Sequence, residues 1–113
     1  MQSRVSLARN FNTGLIMNQD REIVAEKMLR LMQRLYVESD GLVEADGDLQ
    51  LWYNRGYANG MIRALRGLGY GEQISQTVDA DSDERIVGQE FLPWGKAYLH
   101  GFEMGEKETR EVL

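Results

Sequence analysis

The amino-acid sequence predicts an all-α fold, a compact bundle of three to four helices with an N-terminal arm and two acidic connecting loops. Hydrophobic residues recur with the helical period, and capping residues stand at the ends of the patterned stretches. No segment alternates apolar and polar residues convincingly enough to predict a strand. Since 113 residues suffice for one core only, we predict a single helical domain at residues 18–113, preceded by an arm at residues 1–17.

The first helix is predicted at about residues 19–38. Its apolar stripe consists of residues at helical spacing: Val24, Met28, Leu31 and Leu35. Asn18 is a suitable N-cap, and Gly41 can adopt the left-handed conformation that ends a helix. We expect the arm that precedes this helix to be held in place by contacts with the domain, because a chain terminus is ordered only where contacts fix it.

The second helix is predicted to start after Asp46 or Asp48 and to end near Leu68, because the closely spaced glycines beyond it make continuation costly. Its expected buried face is apolar or small throughout: Leu49, Trp52, Tyr53, Gly56, Gly60, Met61, Ala64 and Leu65. The segment that follows, residues 71–78, alternates only weakly and predicts a short extended or irregular connection.

A further helix is predicted to begin near Ser82, with Ile86, Val87 and Phe91 as its apolar residues. Pro93 should break or kink it, because proline disfavours helical geometry at the residue before it. Since proline suits the first turn of a helix, the last helix is predicted at about residues 93–111.

Residues 53–61 and 94–102 share a nine-residue pattern of aromatic, basic, small and glycine positions. Each glycine inside a helix costs about 1 kcal/mol relative to alanine, so something must require the missing side chains. We predict that the two helices pack closely through these faces while the first helix lies across them. A self-association face and a groove for a partner or ligand are the alternatives. The residues concerned are Trp52, Tyr53, Gly56, Tyr57, Gly60, Trp94, Ala97, Tyr98, Gly101 and Gly105.

Part of this pattern, Arg55, Gly56, Tyr57 and Gly60, resembles a glycine-tyrosine helix pattern of ribosome modulation factor. A weaker match surrounds Trp94. That family consists of short basic bacterial proteins that bind ribosomes, and the resemblance implies a helix that contacts a ribosome. The present chain differs in being acidic.

Charge is unevenly distributed along the chain, which has 13 basic and 18 acidic residues and a net charge of −5. This balance argues against general binding to a phosphate backbone as the main activity. Between Asp48 and Glu72, however, there are no acids, and this interval holds Arg55, Arg63 and Arg66. These arginines are expected either to pair with the acidic loops or to form a patch for an anionic partner.

Residues 79–90 approach the spacing of a calcium-binding EF-hand loop, with Asp79, Asp81, Asp83 and Glu90 at ligand positions. The loop departs from the motif at Glu84, where a sharp turn requires glycine. No helix of the expected kind precedes it. Capping of the helix predicted near Ser82 explains the same carboxylates, so no metal or other cofactor is assigned.

The remaining chemistry limits the functional classes. One histidine and no cysteine exclude Cys-His catalysis and the usual zinc sites. We therefore expect a non-enzymatic protein. No segment is apolar enough to span a membrane and no secretion signal is recognised, so a cytoplasmic location is predicted.

The predicted function is binding of a macromolecular partner, most simply a protein. The acidic loops would then mimic nucleic-acid phosphates, as in small inhibitors encoded by phages and mobile elements. Nucleic-acid binding through polar residues of the second helix, Asn54 included, is one alternative. A calcium-responsive domain is another, and a homodimer is left open. The candidate partner-binding residues are Arg55, Asn59, Arg63, Arg66, Glu44, Asp46 and Asp48.

Overall fold

The computed structural model describes residues 13–40, 48–81 and 88–113, with side chains from residue 20 onward. Its helices are α1 (Thr13–Glu38), α2 (Leu49–Gly67), α3 (Gly71–Thr77) and α4 (Pro93–Val112). The described ranges contain no strand, so the predicted all-α class is confirmed.

The ends of α2 and α4 follow from local sequence signals. The Asp48 carboxylate accepts a hydrogen bond of 3.2 Å from the Leu51 backbone N–H and caps α2. Beyond α2, Gly69 has a φ of 101°, which glycine adopts without steric cost. Pro93 occupies the first turn of α4. Both helices therefore lie within about a residue of their predicted bounds.

α1 begins at Thr13, earlier than predicted. No proline interrupts residues 13–18, and Gly14 lies in the first turn, so nothing in this stretch forces the helix to start at the predicted cap. The boundary predicted between arm and domain, at residues 17 and 18, therefore falls inside α1.

The connection between α2 and α4 differs from its prediction. Residues 71–77 form α3 rather than an extended piece, because Ile74 is fully buried in the core and this burial selects the helix. Of the helix predicted near Ser82, residues 82–87 lie outside the described residues, whereas residues 88–92 are not helical.

α2 and α4 lie parallel, with their backbones in contact at the glycines. The contacts form two series in which the residue numbers rise together along both helices, from Gly56 with Tyr98 to Gly60 with Phe102, and from Tyr53 with Gly101 to Tyr57 with Gly105. At each glycine, a Cβ would overlap a main-chain carbonyl oxygen of the opposite helix. The glycine faces therefore meet within one chain.

Parallel packing requires the connection after Gly67 to run back along α2. Tyr70 donates from its backbone N–H to the Leu65 carbonyl at 2.9 Å, which turns the chain at the end of α2. After α3 the backbone is extended at Val78, and Asp81 reaches Arg55 in the first half of α2. We call residues 78–81 the return segment.

α1 runs antiparallel to α2. Met32 and Tyr36 enter a core cluster with residues of α2 and α3: Ala58, Met61, Ile62, Leu65 and Ile74. The expectation that this helix lies across both glycine-bearing helices is wrong, because α1 packs against α2 and α3. Leu49, predicted to be buried, is 45% exposed because it is the first residue of α2.

Candidate functional site

Arg55 lies at the centre of a buried polar network and is only 6% exposed. Its Nε lies 2.8 Å from Oδ2 of Asp81, and its Nη2 donates to Oδ1 at 3.2 Å. Its Nη1 donates to the Tyr36 carbonyl at 2.9 Å and to Ser39 Oγ at 3.0 Å. The guanidinium also lies 3.7 Å from the centre of the Tyr36 ring. Arg55 therefore pairs with an acidic connection, the first of the two arrangements expected for the arginines of this interval, and it is not exposed as contact with a partner would require.

Asn59 completes the network, with 7% of its surface exposed. Its Oδ1 accepts a hydrogen bond from the Tyr36 hydroxyl, and its Nδ2 donates to the Tyr98 hydroxyl at 2.7 Å and to Asp81 at 3.1 Å. The Tyr36 hydroxyl in turn accepts from the Asp81 backbone N–H at 2.8 Å. The expectation that Asn59 faces a partner from the exposed side of α2 is also wrong.

Burial shapes the electrostatics of this region. Removal from water raises the pKa of Tyr36 to about 12. Burial and the hydrogen bond with the Glu108 carboxylate also raise the pKa of Tyr57. For Arg55, burial opposes the charge, but Asp81 outweighs it and the pKa rises. The hydrogen bonds of the network link side chains of α1, α2 and α4 and of the return segment, so the network joins these four parts of the fold.

Two arginines of the predicted set are exposed. The Arg63 side chain is 68% exposed, with its Nε 3.5 Å from a carboxylate oxygen of Glu106, and Arg66 is exposed one turn further along α2. They border a cleft of about 240 Å³ that also contacts Asn59, Ile62 and Asp81. Asn54 accepts a hydrogen bond from Gln50 at 2.8 Å.

The amino-terminal ends of α2 and α4 lie together, as shown by the Trp52 and Trp94 rings, whose centres are 4.2 Å apart. α1 ends near them, since Ser39 contacts Arg55. This end of the molecule exposes Leu49, Leu92 and, at 86%, Phe91. We call these three residues the apolar end.

Exposed acidic residues lie at the same end of the molecule as the apolar end. Glu38 and Asp40 stand at the end of α1, Asp48 stands at the start of α2, and all three are exposed. Of the acids predicted to bind a partner, Asp48 is placed here, whereas Glu44 and Asp46 lie outside the described residues. Among the described residues, this end therefore presents exposed apolar side chains together with these three acids and the exposed Lys96 of α4.

Phe91, predicted as an apolar residue of the helix that begins near Ser82, is exposed and lies outside the described helices. The available signal was its position two residues before Pro93, where a helix is disfavoured. Phe91 and Leu92 precede Pro93 directly, so they do not lie on a helix that could bury them against the core.

The candidate calcium loop lies partly outside the described residues, which lack Asp83 and Glu84. Asp81, one of its predicted ligands, uses its carboxylate to bind Arg55 and Asn59. Within the described part of the chain, no group of three or more acidic or histidine side chains is arranged to hold a metal ion.

Among the described helices, none combines the length and the hydropathy that crossing a membrane requires. Comparison of the chain with protein-family models, curated proteins and solved structures finds no significant match. The resemblance to ribosome modulation factor therefore rests on the four quoted residues of α2.

Proposed function

We propose that this protein acts by binding a protein partner through its apolar end, and that the partner offers an apolar patch bordered by basic residues. The exposure of Phe91 carries this proposal. An aromatic side chain that is 86% exposed leaves apolar area in water, and burying it would contribute roughly 25 cal/mol per Å². Aromatic residues frequently dominate binding energy at protein interfaces.

The charge around Phe91 identifies the kind of partner. Glu38, Asp40 and Asp48 are exposed at this end and outweigh the exposed Lys96 of α4, and the whole chain carries a net charge of −5. Such a surface would attract a basic protein over long range and would repel nucleic acid. An inhibitor that covers a phosphate-binding surface is one activity this arrangement would support.

The experiment compares capture by the natural chain with capture by Phe91→Ser. Val112→Ser is the control, because Val112 is also exposed but lies at the opposite end of α4. Partners recovered from a lysate are identified by mass spectrometry, purified and titrated. We expect Phe91→Ser to weaken binding about tenfold or more and Val112→Ser to leave it unchanged.

Two results would overturn the proposal. One is that every stoichiometric partner binds both variants equally. The other is a dimeric mass in dilute solution that Phe91→Ser converts to a monomeric mass, since the apolar end would then bind a second copy.

Nucleic-acid binding is the second candidate function, and the cleft beside Arg63 and Arg66 favours it. With Arg55 and Asn59 buried, these two arginines would have to carry the interaction. Replacing both with glutamate should abolish a salt-sensitive mobility shift. A natural chain that gives no shift at low salt would eliminate this candidate.

A further inference from the structure

A groove of about 620 Å³ lies at the other end of the molecule, between the middle of α1 and the chain that follows α2. Its apolar lining comes from Ile23, Ala25, Leu29 and Tyr70. Because Tyr70 follows the carboxyl end of α2, the groove is remote from the apolar end.

The groove has a buried floor and an open side. Ala25 is 2% exposed, and its small side chain leaves room between the helix and Tyr70. Ile23 is 52% exposed on the rim. The volume of the groove is in the range of sites that bind small ligands or several side chains. Because one side of the groove is open, a segment of peptide chain suits it better than an enclosed small ligand.

The charge of the lining is negative. Glu22 and Glu26 stand one helical turn apart on its border, and the described residues that line it include no lysine or arginine. Glu26 lies 3.4 Å from Arg30, but both side chains are about two-thirds exposed. A pair of this kind contributes little, so an incoming cation can compete for the carboxylate.

We infer that this groove binds a basic peptide segment of a protein partner, with a large apolar side chain over Ala25 and flanking lysines or arginines at Glu22 and Glu26. The apolar contact with Ala25 and the charged contacts with Glu22 and Glu26 would therefore all come from residues 22–26 of α1. The groove and the apolar end are separate surfaces. An experiment can therefore disprove peptide binding in the groove without disproving partner binding at the apolar end, and the reverse.

The probe is a short synthetic peptide in which lysines alternate with leucine and tryptophan, measured by fluorescence anisotropy. The same peptide with glutamate in place of lysine tests the charge requirement. The test variants are Ile23→Ser and the pair Glu22→Lys with Glu26→Lys. Phe91→Ser controls for binding at the apolar end, and Glu103→Lys with Glu111→Lys makes the same charge change on exposed acids of α4.

We expect the basic peptide to bind the natural chain and both controls alike. Ile23→Ser and the α1 charge pair should each weaken binding about tenfold or more. Equal binding of the acidic peptide, or equal losses from the α1 and α4 charge pairs, would overturn the inference. Loss of binding in Phe91→Ser would place the peptide at the apolar end instead. Circular dichroism of each variant verifies that the helices remain formed.

Discussion

Gly60 of α2 lies directly against the main-chain carbonyl oxygen of Phe102 in α4. A Cβ on Gly60 would overlap that oxygen and would stand 2.8 Å from the Glu106 backbone nitrogen. These neighbours are backbone atoms of a helix, so they cannot move away without separating the two helices. The absent side chain is therefore a condition of the packing, and it explains why a helix tolerates a residue that costs about 1 kcal/mol.

Arg55→Met should strongly destabilise the protein. The change leaves the Asp81 carboxylate, whose side chain is 12% exposed, without its cation, and breaking one partner of a buried pair costs about 3–5 kcal/mol. Arg63→Met is the matched control, because its pair with Glu106 is exposed and should contribute less than about 1 kcal/mol. Urea unfolding of the two variants measures the difference. Similar losses in both would show that the network does not hold the fold together.

Stability should fall at high pH because Tyr36 resists ionisation in the folded chain. Its pKa is about 12 when folded and 10.0 ordinarily, so between these values the folded state holds a proton that the unfolded state has lost. The contribution is fully present below pH 10 and is lost as the pH rises through 12. The free energy of unfolding, measured across this window, should fall less steeply in Tyr36→Phe. An unchanged slope would contradict the assignment, although Tyr57 should maintain part of the fall.

Thr109→Val should stabilise the protein. Thr109 is fully buried in α4, and its Oγ1 has no hydrogen-bond partner among the described residues. Replacing an unsatisfied hydroxyl with a methyl group of similar shape should gain about 1 kcal/mol. Thr109→Ser retains the hydroxyl and removes the methyl group, so it should lose about 1 kcal/mol. Thermal unfolding of both variants measures these changes, and a loss in Thr109→Val would indicate that the hydroxyl is bonded.

The sequence predicts those parts of the fold that depend on local signals. Asp48 caps α2 and Pro93 opens α4, and each acts within a turn of its own position. α3 escapes such reasoning because burial of Ile74 against other elements stabilises it. The seven residues of α3 carry too weak a helical pattern for the sequence alone to predict this helix.

The candidate sites are less predictable than the helices. The sequence leaves open whether Arg55 pairs with an acidic loop or contacts a partner, and it does not identify Asp81, which is 26 positions away in the sequence, as the acid that balances its charge. Only the return path of the chain brings the two together. The exposure of Phe91 is equally hard to predict. An apolar residue is expected to be buried, and only the folded structure shows that no other element covers this one.

The free energy of unfolding of Gly60→Ala, compared with that of Gly67→Ala, tests the close contact of α2 and α4 most directly. A Cβ at Gly67 would meet only the flexible end of Arg110, 3.4 Å away, so this variant should be neutral or up to about 1 kcal/mol more stable. Gly60→Ala forces two backbones apart and should lose about 3 kcal/mol or more. Equal stabilities of the two variants would contradict the account.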